Sequence, residues 1–150
     1  MLSKAQIAAM IPHAGRMCLL DNVLAWDSTT IRCSSRSHRD PAHPMRVAGE
    51  LSALCGIEYA AQAMAVHGGL AGTIPGRPSA GYLASLRDVA CLQNHLDGPD
   101  GDLFVEAERL MGDESRVIYR FRLWVGETEM LNGRATVVLD AALSSADPLE

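Results

Sequence analysis

Hydrophobic and polar positions alternate most regularly from residue 116 to 126. Val117, Tyr119, Phe121, Leu123 and Val125 fall on one side, and Ile118, Arg120, Arg122 and Trp124 on the other. This period of two predicts a strand with one buried face. Three further strand-length runs, at 81–92, 102–111 and 129–140, flank it, and the segments 112–115 and 126–128 carry the glycines and acidic residues of hairpin connections. Nearer the start, residues 17–25 and 29–35 read as a hairpin around Trp26-Asp27-Ser28, with Thr29, Thr30 and Ile31 supplying β-branched side chains. Ser3 followed by Gln6, then Ile7, Ala8 and Met10, predicts a short capped helix within residues 1–10 that Pro12 stops.

Residues 50–67 differ in character. Leu, Ala, Met and Gln dominate, polar residues recur at helical spacing, and Gly68-Gly69 offers a C-terminal stop. Both faces of this helix are apolar, which predicts burial nearly all round. The order is therefore a short helix, two strands, a long helix and an antiparallel meander of four strands, an α+β chain. The economical way to cover one apolar helix is a strongly bent antiparallel sheet wrapped around it, the hotdog arrangement. We expect a single domain over residues 1–150 with a frayed tail at 144–150. One helix cannot hide all its apolar surface under one small sheet, so at least a dimer is expected.

Composition narrows the class. The 150 residues are 48% hydrophobic with a net charge of -5, so no cationic footprint for nucleic acid exists. Cys18, Cys33, Cys55 and Cys91 are widely spaced in apolar stretches and form no Cys-x-x-Cys pair, which points to reduced thiols and a cytoplasmic setting. Neither a signal peptide nor a membrane span is expected. No His-x-x-x-His pair, Gly-x-Ser-x-Gly elbow or phosphate loop is present, so no metal or cofactor is expected.

The residue with most chemical promise is Glu58. On a helix its face holds Leu51, Leu54, Cys55, Ala61, Gln62 and Ala65, apolar except for Gln62. Burial raises a carboxyl pKa, and an acid that stays protonated near neutral pH suits general-acid work. Alternatively Glu58 pairs with a buried arginine such as Arg87 or Arg134, or lies at a dimer interface. Five histidines are possible partners. His67 sits where it would meet a helix C-terminus, His95 lies beside a polar turn, and His13 lies in a tight loop where a contact to backbone is the common role. His38 and His43 are better placed, in the loop before the long helix, and Pro44 holds His43 extended.

The segment Ile11-Pro12-His13-Ala14-Gly15-Arg16-Met17-Cys18-Leu19-Leu20-Asp21 resembles the opening of the (3R)-hydroxyacyl-[acyl carrier protein] dehydratases. Glu58-x-x-x-Gln62 resembles their hotdog helix, and with the stretches 56–68 and 81–89 the likeness is to the branch associated with aryl polyene lipid synthesis. The resemblance runs from Ile11 to about Asp140. It implies a hotdog dimer or larger oligomer that removes water from a 3-hydroxyacyl chain on the phosphopantetheine arm of acyl carrier protein. It assigns Glu58 as the acid that protonates the departing hydroxyl, Gln62 as its helix neighbour and His43 as the base that takes the α-proton. His13 joins the substrate-binding set, and the N–H groups around Leu51 and Leu54 would polarise the thioester carbonyl.

His43-Pro44-Met45-Arg46 departs from the family's His-Phe-Pro-Gly stretch, and no Pro-Gly step opens the helix. An alternative is therefore a subunit that lacks the base and pairs with a paralogous dehydratase, and another is an acyl thioesterase on the same fold. An acidic chain needs a local basic patch to dock an acidic carrier, and Arg36, Arg39 and Arg46 near the loop are the expected one.

Overall fold

The computed structural model describes residues 1–11, 15–71, 81–113 and 115–139. Six strands form one antiparallel sheet: β1 (Asn22–Trp26), β2 (Thr30–Ser35), β3 (Gly81–Cys91), β4 (Leu103–Gly112), β5 (Arg116–Val125) and β6 (Thr128–Leu139). Two helices accompany them, α1 (Lys4–Ala8) and α2 (Gly56–Leu70). α2 lies against the sheet's inner face, which gives the hotdog arrangement expected from the hydrophobic pattern. Val117, Tyr119, Phe121, Leu123 and Val125 all point into this core, while Arg116, Arg120 and Arg122 stay outside. Ser3 caps α1 through the reciprocal Ser3–Gln6 box.

The strand order is β1-β2-β4-β5-β6-β3. Only β4, β5 and β6 form a meander, because the chain crosses after α2 to the far edge, where β3 pairs with β6. The expected four-strand meander is thus corrected. Alternation gives each strand's faces but not its neighbours. The first strand is also shorter than predicted. Residues 15–17 form a 3-10 turn and the ladder begins only at Asn22, because Leu19 spends its N–H on the Gln62 side chain.

α2 starts six residues later than expected. Ala48 and Gly49, at φ 53° and 81°, make a tight turn closed by Val47 and Glu50, and Ser52 then caps a 3-10 turn over Ala53–Cys55. At its other end α2 runs through Gly68-Gly69, where a Cβ on Gly69 would lie 2.9 Å from Met10 Cε. Gly69 serves close packing against the N-terminal segment, and the pair does not stop the helix. Close approach also explains Gly56, whose added Cβ would meet Leu123 at 2.9 Å and Leu131 at 3.0 Å.

Burial around α2 is not complete, which corrects a further expectation. Tyr59, Ala60, Gln62, Ala63, Met64, Val66 and His67 are buried. Leu54, 53% exposed, heads a stripe of partly open positions that continues through Ile57, Glu58, Ala61, Ala65 and Gly68. At the sheet edge β3 likewise exposes Leu83 and Leu86. The predicted tail at 144–150 lies outside the described residues.

Candidate active site

Glu58 lies in the first turn of α2 on the partly open stripe. Gln62, one turn on and 1% exposed, holds it by donating from Nε2 to Glu58 Oε2 at 3.2 Å. Gln62 itself is fixed by the chain's opening segment. Its Nε2 donates to the Met17 carbonyl at 2.7 Å, and its Oε1 accepts the Leu19 N–H at 2.9 Å. A buried amide with both ends used this way has one orientation, so Gln62 clamps α2 to residues 17–19. Lys4 secures that segment from the other side, reaching the Cys18 carbonyl and the Asp21 carboxylate. Arg87 and Arg134, the arginines considered as buried partners for Glu58, are exposed on the sheet.

His43 is buried, and both of its ring nitrogens are engaged. Nδ1 accepts the Met45 N–H at 3.1 Å, which puts the neutral ring's proton on Nε2. Nε2 donates to the Tyr59 hydroxyl at 3.0 Å. Tyr59 in turn donates to Ser37 Oγ at 2.6 Å, and Ser37 donates to the Leu19 carbonyl at 2.8 Å. The chain of donors therefore runs one way and ends on a backbone carbonyl. Burial, with the Arg46 charge as a smaller contribution, lowers the His43 pKa, and burial pushes the Tyr59 hydroxyl well above its usual value. Both groups stay neutral. A cavity of about 250 Å³ lies against this network, lined by Lys4, Gly15, Cys18, Ser37, Asp40 and His43 among others.

The other described histidines are structural in their contacts. His38 donates from Nε2 to the Gly101 carbonyl at 2.9 Å, and burial lowers its pKa. His67 is sealed between the Tyr119 hydroxyl at 2.7 Å and the Asp27 carbonyl at 2.9 Å. His95 meets Glu50 at the surface. His13 lies outside the described residues.

Leu51 is fully buried and its carbonyl accepts the Leu96 N–H. The carbonyl-polarising role expected around Leu51 and Leu54 meets an obstacle. The Ala53 N–H is held by Asn94 and the Leu54 N–H by the Ser52 side chain. The expected basic patch is also neutralised, because Arg36, Arg39 and Arg46 pair with Asp102, Asp100 and Asp97. Sequence reasoning missed Tyr59 and Ser37. The available signal was a tyrosine inside an aliphatic helix, whose hydroxyl needs a partner once buried.

A model of the ApeP-like family, described as ApeP dehydratase, matches residues 5–146. The chain belongs to the ApeP-like dehydratase family. Among solved structures it is similar to the dehydratase heterocomplex ApeI:P from Xenorhabdus doucetiae, at 23% identity and TM-score 0.80, with 97% of each chain covered. It is also similar to a thioesterase from Haemophilus influenzae (11% identity, TM-score 0.60, 95% of this chain and 94% of that one). Zebrafish thioesterase superfamily member 2 is a third such structure (15% identity, TM-score 0.61, 93% and 99%). These likenesses carry the hotdog fold. No curated protein matches the chain. Among the described residues of this ApeP-like protein no helix is long and apolar enough to cross a membrane, and no group of His, Cys, Asp or Glu side chains could hold a metal ion.

Proposed function

We propose that this ApeP-like protein takes part in dehydrating 3-hydroxyacyl thioesters carried on acyl carrier protein, with Glu58 as the general acid. The observation that carries this reading is the Gln62 clamp: it fixes a carboxyl on the open stripe of a helix otherwise buried in apolar side chains. A base takes the proton from the α-carbon, the electron pair forms the C=C bond, and the β-hydroxyl leaves as water with the proton that Glu58 gives it. Membership of a dehydratase family supports this assignment.

His43 is the candidate base within the chain, and it can act at Nε2 only after the ring proton moves to Nδ1, which gives up both the Met45 and the Tyr59 contacts. Its engaged ring favours a second reading, in which this subunit supplies the acid and a second hotdog subunit supplies the base. The heterocomplex formed by the Xenorhabdus doucetiae proteins supports that reading.

The test is to incubate the purified protein with a carrier-bound 3-hydroxyacyl thioester and follow the ultraviolet absorbance of the enoyl product. Wild type, Glu58→Gln and His43→Ala are compared. Product lost in both variants supports the self-sufficient pair. Product that appears only with a second hotdog subunit, and needs Glu58 but not His43, supports the shared site. Free thiol without enoyl product would make the protein a thioesterase.

A further inference from the structure

The described cations of this acidic chain fall into two groups. Lys4, Arg32, Arg36, Arg39, Arg46, Arg120 and Arg122 each pair with a carboxylate. Among the described residues Arg87, Arg109, Arg116 and Arg134 do not; Arg109 lies on β4, and the other three line one groove of about 430 Å³, walled also by Ile118, Thr136 and Val138. The groove lies on the outer face of β5, β6 and β3, with the sheet between it and α2.

Strand register makes the concentration of charge sharper. Arg87 stands opposite Arg134, and Arg134 opposite Arg120, so three guanidinium-bearing residues form one row across three strands. Directly opposed residues share a face, with Cβ atoms roughly 5 Å apart, and like charges placed so destabilise the sheet. Only Arg120 has a carboxylate, Glu108 at 3.4 Å. Packing gives no reason for the row, since Arg87, Arg134 and Arg120 are all exposed.

We propose that this groove binds a phosphorylated small molecule with more than one negative charge. The guanidinium fork matches phosphate oxygens in pairs, and the site is concave and of small-ligand size. Arg134 stands opposite Arg120, four residues along β5 from Arg116, so the groove's arginines are spread over roughly 13 Å at about 3.3 Å per residue, a span that suits two phosphoryl groups better than one. The inference does not depend on the dehydration reading, because the site lies across the sheet from Glu58.

Titration calorimetry at low ionic strength tests it, with inorganic pyrophosphate, ADP and inorganic phosphate as probes and sodium chloride at matched ionic strength as the control. Pyrophosphate is expected to bind more tightly than phosphate, and Arg87→Gln and Arg134→Gln are each expected to weaken it roughly tenfold, the scale of one lost charge-assisted contact. Binding of ADP at least as tight as pyrophosphate identifies a nucleotide source, and pyrophosphate alone a free one. Both variants change exposed residues, and unliganded melting no lower than wild type checks that they are folded. Binding no stronger than the salt control, or unchanged in both variants, overturns the proposal. So does selective binding of poly-glutamate, which would mark a protein-docking face.

Discussion

Replacing Gln62 with methionine keeps the volume of the side chain and removes every polar contact of the clamp. The Leu19 N–H, at a residue with 0% exposure, loses its acceptor at 2.9 Å and has no route to water. An orphaned buried donor costs about 1–3 kcal/mol. The Met17 carbonyl loses a donor at 2.7 Å but belongs to a half-buried residue, and the Glu58 contact is long and partly open, so these two together add about 1 kcal/mol. Burying a thioether in place of an amide returns about 1 kcal/mol, leaving a net loss of about 1–3 kcal/mol. At about 2–4 °C per kcal/mol for a domain of this size, Tm should fall by roughly 2–12 °C. Circular dichroism melting reads the loss, and amide exchange should quicken at Leu19 in particular. A variant that melts within about 1 °C of wild type, with Leu19 still protected, would refute the clamp. Gln62→Glu sharpens the test. It keeps an acceptor for Leu19 but sets two carboxylates at i and i+4, so its deficit should shrink as pH falls and the repulsion is lost.

Four further outcomes are expected. His38, His43 and His67 are held neutral by burial, with pKa values lowered in the fold; their stabilisation is complete above about pH 6.5 and declines as pH drops below it, because the unfolded chain binds the protons. Melting from pH 7.5 to 5.0 should show that decline, and a flat profile would contradict it. Gly133→Ala should cost about 1–3 kcal/mol in urea denaturation, since its Cβ would sit 3.0 Å from Phe121 and 3.2 Å from the Val89 backbone; an unchanged midpoint would show that β3 yields. Tyr59→Phe leaves the His43 Nε2–H without its acceptor and should lower stability by about 1–3 kcal/mol, read by the same denaturation. Sedimentation should show at least a dimer, because α2's stripe and the β3 edge expose Leu54, Leu83 and Leu86; a monomer would contradict it.

Much of the fold was legible because one helix and three strands carry clean periodicity. Val117 to Val125 gave the buried face of β5 residue by residue. What stayed hidden was relational. Nothing in residues 81–92 says that β3 joins β6 at the edge, since strand neighbours are set by the crossover and by which side of the sheet α2 covers. The start of α2 was misread because helix propensity at 50–55 is good, yet the Val47–Glu50 turn and the Ser52–His95 bridge hold that stretch elsewhere. In the site, Glu58 and Gln62 stood out as polar residues on an apolar helix. Gln62's role did not, because its partners lie 43 and 45 residues away and are backbone groups, which leave no mark in side-chain chemistry. For the same reason Arg36, Arg39 and Arg46 looked like an open patch: their carboxylate partners lie 51 to 66 residues along the chain.

The placement of the proposed acid and base bears on whether one kind of chain suffices. Glu58 lies on the stripe of α2 that the chain leaves partly open, whereas His43 is turned toward Tyr59, which the chain buries. Consecutive helical residues project about 100° apart, so the imidazole and the carboxyl address different sides of the helix. A second copy does not resolve this on its own, because symmetry repeats every contact and presents another His43 with Nδ1 on Met45 and Nε2 on Tyr59. A homodimer therefore works only if the imidazole gives up both bonds and carries its proton on Nδ1, which would tie turnover to the strength of those buried contacts. Under that scheme Tyr59→Phe should raise activity while it lowers stability. A heteromer in which the other chain brings an unengaged base needs no such rearrangement, and there the same substitution should leave turnover unchanged.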